Sequence, residues 1–442
     1  MEFATKGKAD LKIIPQDQAT IDDDEFIGLY CDENIHEPII LTGDIIYYQN
    51  WECNGVGRVI HKTLKAGHHT LKFEFSGAES YTEDWAHNAS VVWYSSSDWT
   101  YRRTLHLDHA LVSGTANLFS FPVLISFTDT ALKASVSGGH INSENGYDII
   151  FTSSDGTTKL NHEIEKYTGS TGEIVMWAEI PILTYADDTQ IYIYYGNTSI
   201  STSQEAAAAV WDSNYLGVWH LKEDPTDTAP QMIESNNGNS LTTTSLVAGD
   251  QLACQIGGGL SLDGATKYAT TNNKNVTAQN LTQYTISAWL YAGTLGVKET
   301  AWEELRNGAA TTRLKLGIDL ATNIGETGTN TYFFLSGRVL DADSYTYLAV
   351  NNSVAVALST RYYVVAVFDS VNDINHLMVN GTDVTKSLVK TAFSDTVTSQ
   401  NPRMAARSGT PASFEFWSGR IDEMHISNTM RAVDWPKTEY NN

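Results

Sequence analysis

The chain reads as an all-β protein built from tandem sandwiches. Three observations carry that reading. Short β-branched or aromatic runs recur between turn residues, as in "HHTLKFEF", "NASVVWYS", "QIYIYYGN", "YTISAWLY", "YYVVAVF" and "HLMVNGTDV". Hairpin dipeptides stand where such runs must reverse: Asn380-Gly381 suits a type I′ turn, which needs positive φ twice, and Asp155-Gly156 repeats the device. Helical patterns, by contrast, are sparse. Many short strands with little helix indicate sandwiches rather than an α/β enzyme.

Two stretches predict helix. "TSQEAAAAVW" has Thr202 and Glu205 at capping-box spacing ahead of four alanines, and "ETAWEELRNG" has room for two turns ending at Gly308. Boundaries fall near "SSSD" at 95–98 and at the alanine run. They give an N-terminal module at 1–97, a second sandwich at 98–203, a helical linker at 204–213 and a larger sandwich at 214–442. The closing "GRIDEMHISNTMRAVDWPKTEYNN" reads as a strand, with Ile421, Met424 and Ile426 among polar residues. A short aromatic turn that packs back on a sheet follows it.

A formal net charge of −24 excludes several partners. Nucleic acid and anionic membranes are themselves negative and would be repelled. Acidity favours solubility and leaves carboxylates for calcium. No apolar run approaches the roughly 20 residues of a membrane helix, and "MEFATKGKADLKIIP" lacks the apolar core of a signal peptide. Three cysteines give a weak redox signal: Cys31 and Cys53 lie in one module and can pair, leaving Cys254 as a buried thiol.

Four stretches in order, "WTYRRTLHLDH" (99–109), "GYDIIFTSSDGTTKLNHEIEKY" (146–167), "IVMWAEIPIL" (174–183) and "IYIYYGN" (191–197), resemble a bacterial and phage family known only as a domain of unknown function. The family commonly has Trp before the Ile-Glu pair, where this chain has His162-Glu163. After it, "YLGVWHL" (215–221), "GGGLSLDGATKYAT" (257–270), "YTISAWLY" and "YYVVAVFD" (362–369) resemble a laminin-G-like, concanavalin A-like jelly roll. That resemblance makes the tail the last inner strand plus a latch across the jelly roll's two sheets. "TLKAGHHTLKFEFSGAES" (63–80) followed by "NASVVWYS" (88–95) resembles the final strands of modules related to the anthrax protective antigen, which often bind sugars.

Catalytic motifs are missing: no G-x-S-x-G, P-loop or H-E-x-x-H occurs. Laminarinase-type glycosidases of the same fold need an E-x-D-x-x-E strand, which is absent. Glu163 and Glu165 share a strand face, with about 6.6 Å between Cα atoms, and read as strand-surface carboxylates. Asp422 and Glu423 are adjacent, so regular alternation sends them to opposite faces. His106, Asp108 and His109 lack a nameable further metal ligand and read as sheet-surface residues.

In "SYTEDWAHNAS" (80–90), Trp85 has two readings. It stacks on a sugar ring while Asp84, His87 and Asn88 bond hydroxyls, or it folds back on its own sandwich. Laminin-G-like domains often hold a structural calcium, and the resemblance maps it onto Glu234, Asn236, Asn239 and Asp422. The alternative is that Asp422 only accepts backbone N–H groups. The expected function is non-catalytic adhesion or glycan binding outside the cell or on a virion. The partner is then a glycan or surface protein. A structural fibre, filament or capsid-decorating subunit that contacts copies of itself is the alternative; an accessory part of a carbohydrate-active enzyme is a third class.

Overall fold

The computed structural model describes residues 99–442, apart from 237, 272–275, 277–282, 306–312, 325–326, 339–344, 352, 370–371, 373, 393–400 and 408–414. Before residue 99 it describes only strand backbones. The chain divides into two compact units, Met1–Asp98 and Trp99–Asn442. In the first, four strands form an antiparallel sheet centred on the pairing of Gly7–Pro15 with Ile45–Cys53, and Leu29–Cys31 pairs with Asn34–His36. Cys31 and Cys53 end strands in these two sheets; their side chains lie outside the described residues, as do Asp84, Trp85, His87 and Asn88.

The second unit contains two sandwiches. The smaller one faces two three-stranded antiparallel sheets across a core of Phe121, Ile149, Phe151, Met176, Ile191 and Ile193. Alternating side chains of its strands supply that core, as period-two patterning requires. The larger one faces two eight-stranded sheets across a core that includes Trp219, Tyr284, Trp302, Phe368 and Trp417. This is the jelly roll. Asn380 and Gly381 have φ of +50° and +71°, so the expected turn forms.

Both predicted helices need correction. Residues Glu299–Leu305 form a strand, paired with Arg313–Leu320. Ala301 and Trp302 both enter the core across a register shift, so the pattern that resembled a helix is a bulged strand. The alanine run yields only Ala207–Val210 as helix. Glu205 does not cap it; its Oε2 accepts the Ile164 N–H at 3.0 Å, so tertiary contact outbids the local capping box.

The tail differs too. It is a helix, Asp434–Asn441, and it latches onto the neighbouring sandwich. Trp435 enters the smaller core and packs on Phe121 at 4.7 Å. Thr438 Oγ1 accepts the Ser113 N–H at 2.9 Å, and Asn442 Oδ1 accepts the Leu124 N–H at 2.7 Å. Back on the jelly roll, the Tyr363 hydroxyl donates to Glu439 at 2.7 Å. Arg431 binds Asp212 of the linker through both Nη atoms, at 2.7 and 2.8 Å, tying the tail to the connection between sandwiches.

Candidate functional site

Among the described residues, the joint between the sandwiches brings six buried ionisable groups together. The smaller sandwich contributes Glu163 and Glu165 from the strand His162–Thr168. They do share a face, but it is buried against the jelly roll, not a strand surface. The jelly roll contributes His220, just after the strand Tyr215–Trp219, with Asp422, Glu423 and His425 from the closing strand Ser418–Ser427. All six residues are buried.

Adjacent Asp422 and Glu423 were expected on opposite faces. A bulge overturns that. Ser287 pairs with His425, yet Trp289 pairs with Asp422, so one extra residue is accommodated in the closing strand. Glu423 has φ of +49°, a left-handed conformation that re-aims the chain there. Ile421 and Met424 then both reach the jelly-roll core, while Asp422, Glu423 and His425 are sealed at the joint. The three-residue step from Ile421 to Met424 is the sequence trace of that bulge.

The geometry is tight. His220 Nδ1 lies 2.9 Å from both oxygens of Glu423, and His220 Nε2 lies 3.2 Å from Glu163 Oε2. His425 Nε2 is 3.0 Å from Glu423 Oε2. Indoles close the sides: Trp211 Nε1 donates to Glu163 and Trp177 Nε1 to Glu165, each at 2.9 Å. Ser235 Oγ donates to Glu163 at 2.7 Å. A Cβ on Gly257 would fall 1.7 Å from Glu165 Oε1, so only glycine admits this approach.

Charge follows from these contacts. Burial disfavours both ions of the central pair, but the mutual attraction of His220 with Glu423 and Glu163 outweighs it. His220 is therefore held well above the usual histidine range, and Glu423 below the usual carboxylate range. Burial also opposes ionisation of Glu163, yet His220, Lys222 and the Trp211 N–H hold it at about 2. Glu165 goes the other way, pushed up to about 8 by burial and by the charge of Glu423. Asp422 is raised well above its usual range by the same two causes.

The residues mapped for calcium divide between two loops. Glu234 accepts N–H groups from Val218, Asn236 and Asn239. Asn236 and Asn239 donate their side-chain amides to the Tyr215 and Leu216 carbonyls. Asp422 Oδ2 accepts instead from Gln255 and Ile256, both at 2.9 Å. Carboxylates already taking backbone N–H bonds, at two separate loops, do not fit a cage of six to eight oxygens.

His109 meets a partner that spacing could not name, with Nδ1 2.7 Å from Asp188 Oδ1 on the exposed surface. Asp108 caps the adjoining turn by accepting the Ala110 N–H. Cys254 is a free, half-buried thiol, its pKa pushed up to about 11 by burial and by Asp422. Sequence reasoning missed His220, His425, Trp177 and Trp211. "VWHL" and the slipped period at 421–424 were the available signals.

Among the described residues no helix is long and apolar enough to cross a membrane. Comparison with known proteins gives two family matches. Residues 145–215 match a domain of unknown function, DUF2341, and residues 263–435 match the concanavalin A-like lectin/glucanases superfamily. No curated protein matches. Among solved structures, the chain is similar to domain 4 of AbnA, an extracellular GH43 arabinanase of Geobacillus stearothermophilus solved with arabinotriose. The identity is 14%, with coverage of 52% of this chain and 98% of that one, at a TM-score of 0.35. A carbohydrate-binding protein of Bacteroides ovatus, so described provisionally, is 10% identical over 76% and 78% of the two chains, at a TM-score of 0.27. The CBM40 of a Ruminococcus gnavus IT-sialidase, bound to α2,3-sialyllactose, is 14% identical over 41% and 95%, at a TM-score of 0.26. The chain carries a DUF2341 domain followed by a domain of the concanavalin A-like lectin/glucanases superfamily.

Proposed function

We propose that this is a non-catalytic binding protein of a cell or virion exterior, acting in adhesion to glycans. The observation that carries the non-catalytic part is the sealing of the acidic pairs. Glu163, Glu165, Asp422 and Glu423 are each 6% exposed or less. The cavity lined by His425 beside them is about 10 Å³, room for about one water and far too small for a sugar ring. A glycosidase needs two carboxyls flanking a bound glycosidic bond. The lectin-type fold supports the binding part, and the aromatic-polar stretch with Asp84, Trp85, His87 and Asn88 supplies the chemistry for a sugar contact.

The test is a glycan array on the full chain, repeated on Trp85→Ala, beside a reducing-sugar assay on polysaccharides. Specific array binding without sugar release is expected, weakened by the substitution. Release that disappears in Glu163→Gln would reverse the non-catalytic reading.

One observation favours a second reading, a fibre, filament or capsid-decorating subunit. The tail helix of the jelly roll is inserted in the core of its neighbour, an arrangement suited to bearing load. Ordered polymers by electron microscopy, with no array binding, would decide for that reading.

A further inference from the structure

We propose that the joint between the sandwiches is a binding site for a divalent transition metal of the zinc class, held by His220 Nδ1, His425 Nε2 and the Glu423 carboxylate. These ligand atoms all lie within 4.8 Å of one another, and all three residues are buried. The Glu423 oxygens stand 2.9 Å from His220 Nδ1, and its Oε2 stands 3.0 Å from His425 Nε2. Ligand atoms about 2.0–2.2 Å from one zinc ion are separated by comparable or slightly larger distances. Small side-chain movements open the place now bridged by hydrogen bonds.

The donor set selects the metal. Two imidazoles and a carboxylate suit zinc and its neighbours, whereas calcium takes oxygen. Glu165 Oε2, 3.8 Å from His220 Nδ1, is placed to supply a fourth ligand. The surroundings also have the arrangement metal-bound histidines use, in which the second ring nitrogen meets a carboxylate. His220 Nε2 lies 3.2 Å from Glu163, itself fixed by the Trp211 indole and the Ser235 hydroxyl.

A second observation is independent of the three ligands. Two further carboxylate oxygens, Glu165 Oε1 and Asp422 Oδ1, are buried without a hydrogen-bond partner. Buried oxygen without a partner is costly, and a dication beside it compensates. Binding sends the proton of His220 Nδ1 to solvent and shifts the proton of His425 from Nε2, where it now faces Glu423, to its unpartnered Nδ1, so loading consumes no other reactant. Because His220, Glu423 and His425 come from the jelly roll and Glu163 and Glu165 from the smaller sandwich, an ion here would clamp the pair.

The experiment uses the full chain. It is unfolded in denaturant with a chelator, desalted, and refolded with zinc, with calcium or with neither, then measured for metal content and melting. Zinc is expected to remain stoichiometric through dialysis and to raise the melting midpoint by roughly 5 °C, with calcium doing neither. Cobalt refolded into the wild-type chain should show the intense visible absorption of a low-symmetry site. His425→Gln should lose both signals, while His109→Ala, on the exposed surface, should keep them. Sub-stoichiometric zinc with an unchanged midpoint in the wild-type chain would overturn the proposal. So would retention of zinc in His425→Gln with loss in His109→Ala.

Discussion

His220 Nδ1 lies 2.9 Å from both carboxylate oxygens of Glu423, a residue 203 positions further along the chain. Both ends of the jelly-roll domain therefore meet at one point, and that point is pressed against Glu163 of the preceding domain. A buried pair of this kind makes its partners interdependent, because either charge left alone would be stranded in a low dielectric. Four consequences of the packing can be measured.

Removing one partner should cost far more than the pair contributes. Glu423→Ala leaves His220 with only Glu163 at 3.2 Å and Glu165 at 3.8 Å and deprives His425 of its acceptor. A loss of roughly 3–5 kcal/mol is expected, the usual cost of breaking a buried pair. Urea unfolding would read it as a lower midpoint. A midpoint within error of the parent would mean that water reaches the joint.

The tail helix should hold the two sandwiches in one cooperative unit. Trp435→Ala removes a buried indole from the smaller core, where it packs against Phe121. Truncations of this type cost about 3–5 kcal/mol. Calorimetry should show the smaller sandwich melting first, as a separate transition. A single unshifted peak would argue that the tail is ornamental.

Two glycines with similar backbones should respond differently to alanine. Gly238 and Gly257 have φ of +72° and +43°, so both substitutions carry left-handed strain of about 1–2 kcal/mol. Nothing lies within 4 Å of a Cβ at Gly238, whereas at Gly257 it would strike the Glu165 carboxylate that Trp177 holds in place. Gly257→Ala should therefore be the more destabilising by roughly 1–3 kcal/mol, an overpacking cost. Equal thermal shifts for the two proteins would contradict the close approach.

Glu299 should give the jelly roll a pH dependence of its own. Burial pushes its pKa up to about 7, even though its Oε2 accepts the Ser418 N–H. A carboxyl whose folded pKa is raised holds its proton more tightly when folded, so stability falls as pH rises from about 4.5 to about 7 and is level above. Glu299→Gln keeps an oxygen for Ser418 and removes the titration. It should stabilise the protein at pH 8 by on the order of 2 kcal/mol and change little at pH 4. Parallel stability curves for parent and variant across that range would refute the assignment.

Local pattern was enough for much of the fold. Runs such as "YTISAWLY" and "YYVVAVFD" became the central strands Gln283–Ala292 and Arg361–Asp369, because alternating or fully apolar β-branched runs have one good way to bury themselves. Asn380-Gly381 became its turn because positive φ is a property of those residues. The motif order also pointed to both families.

What the sequence by itself determined, then, is what period and backbone preference govern: the all-β class, the Asn380-Gly381 turn and the succession of two domains, whereas at Asp155-Gly156 only the glycine takes positive φ. Only the tertiary structure decided the rest. "ETAWEELRNG" carries helix-forming residues, but a neighbouring strand captured it. Glu163 and Glu165 look like surface carboxylates until a second domain covers them. Asp422 and Glu423 share the joint because one bulge breaks the alternation. The tail crosses to the other sandwich because a core open to Trp435 exists there. In each case the deciding partner lies far away in sequence, where burial and charge pairing act through space and leave no local period to read.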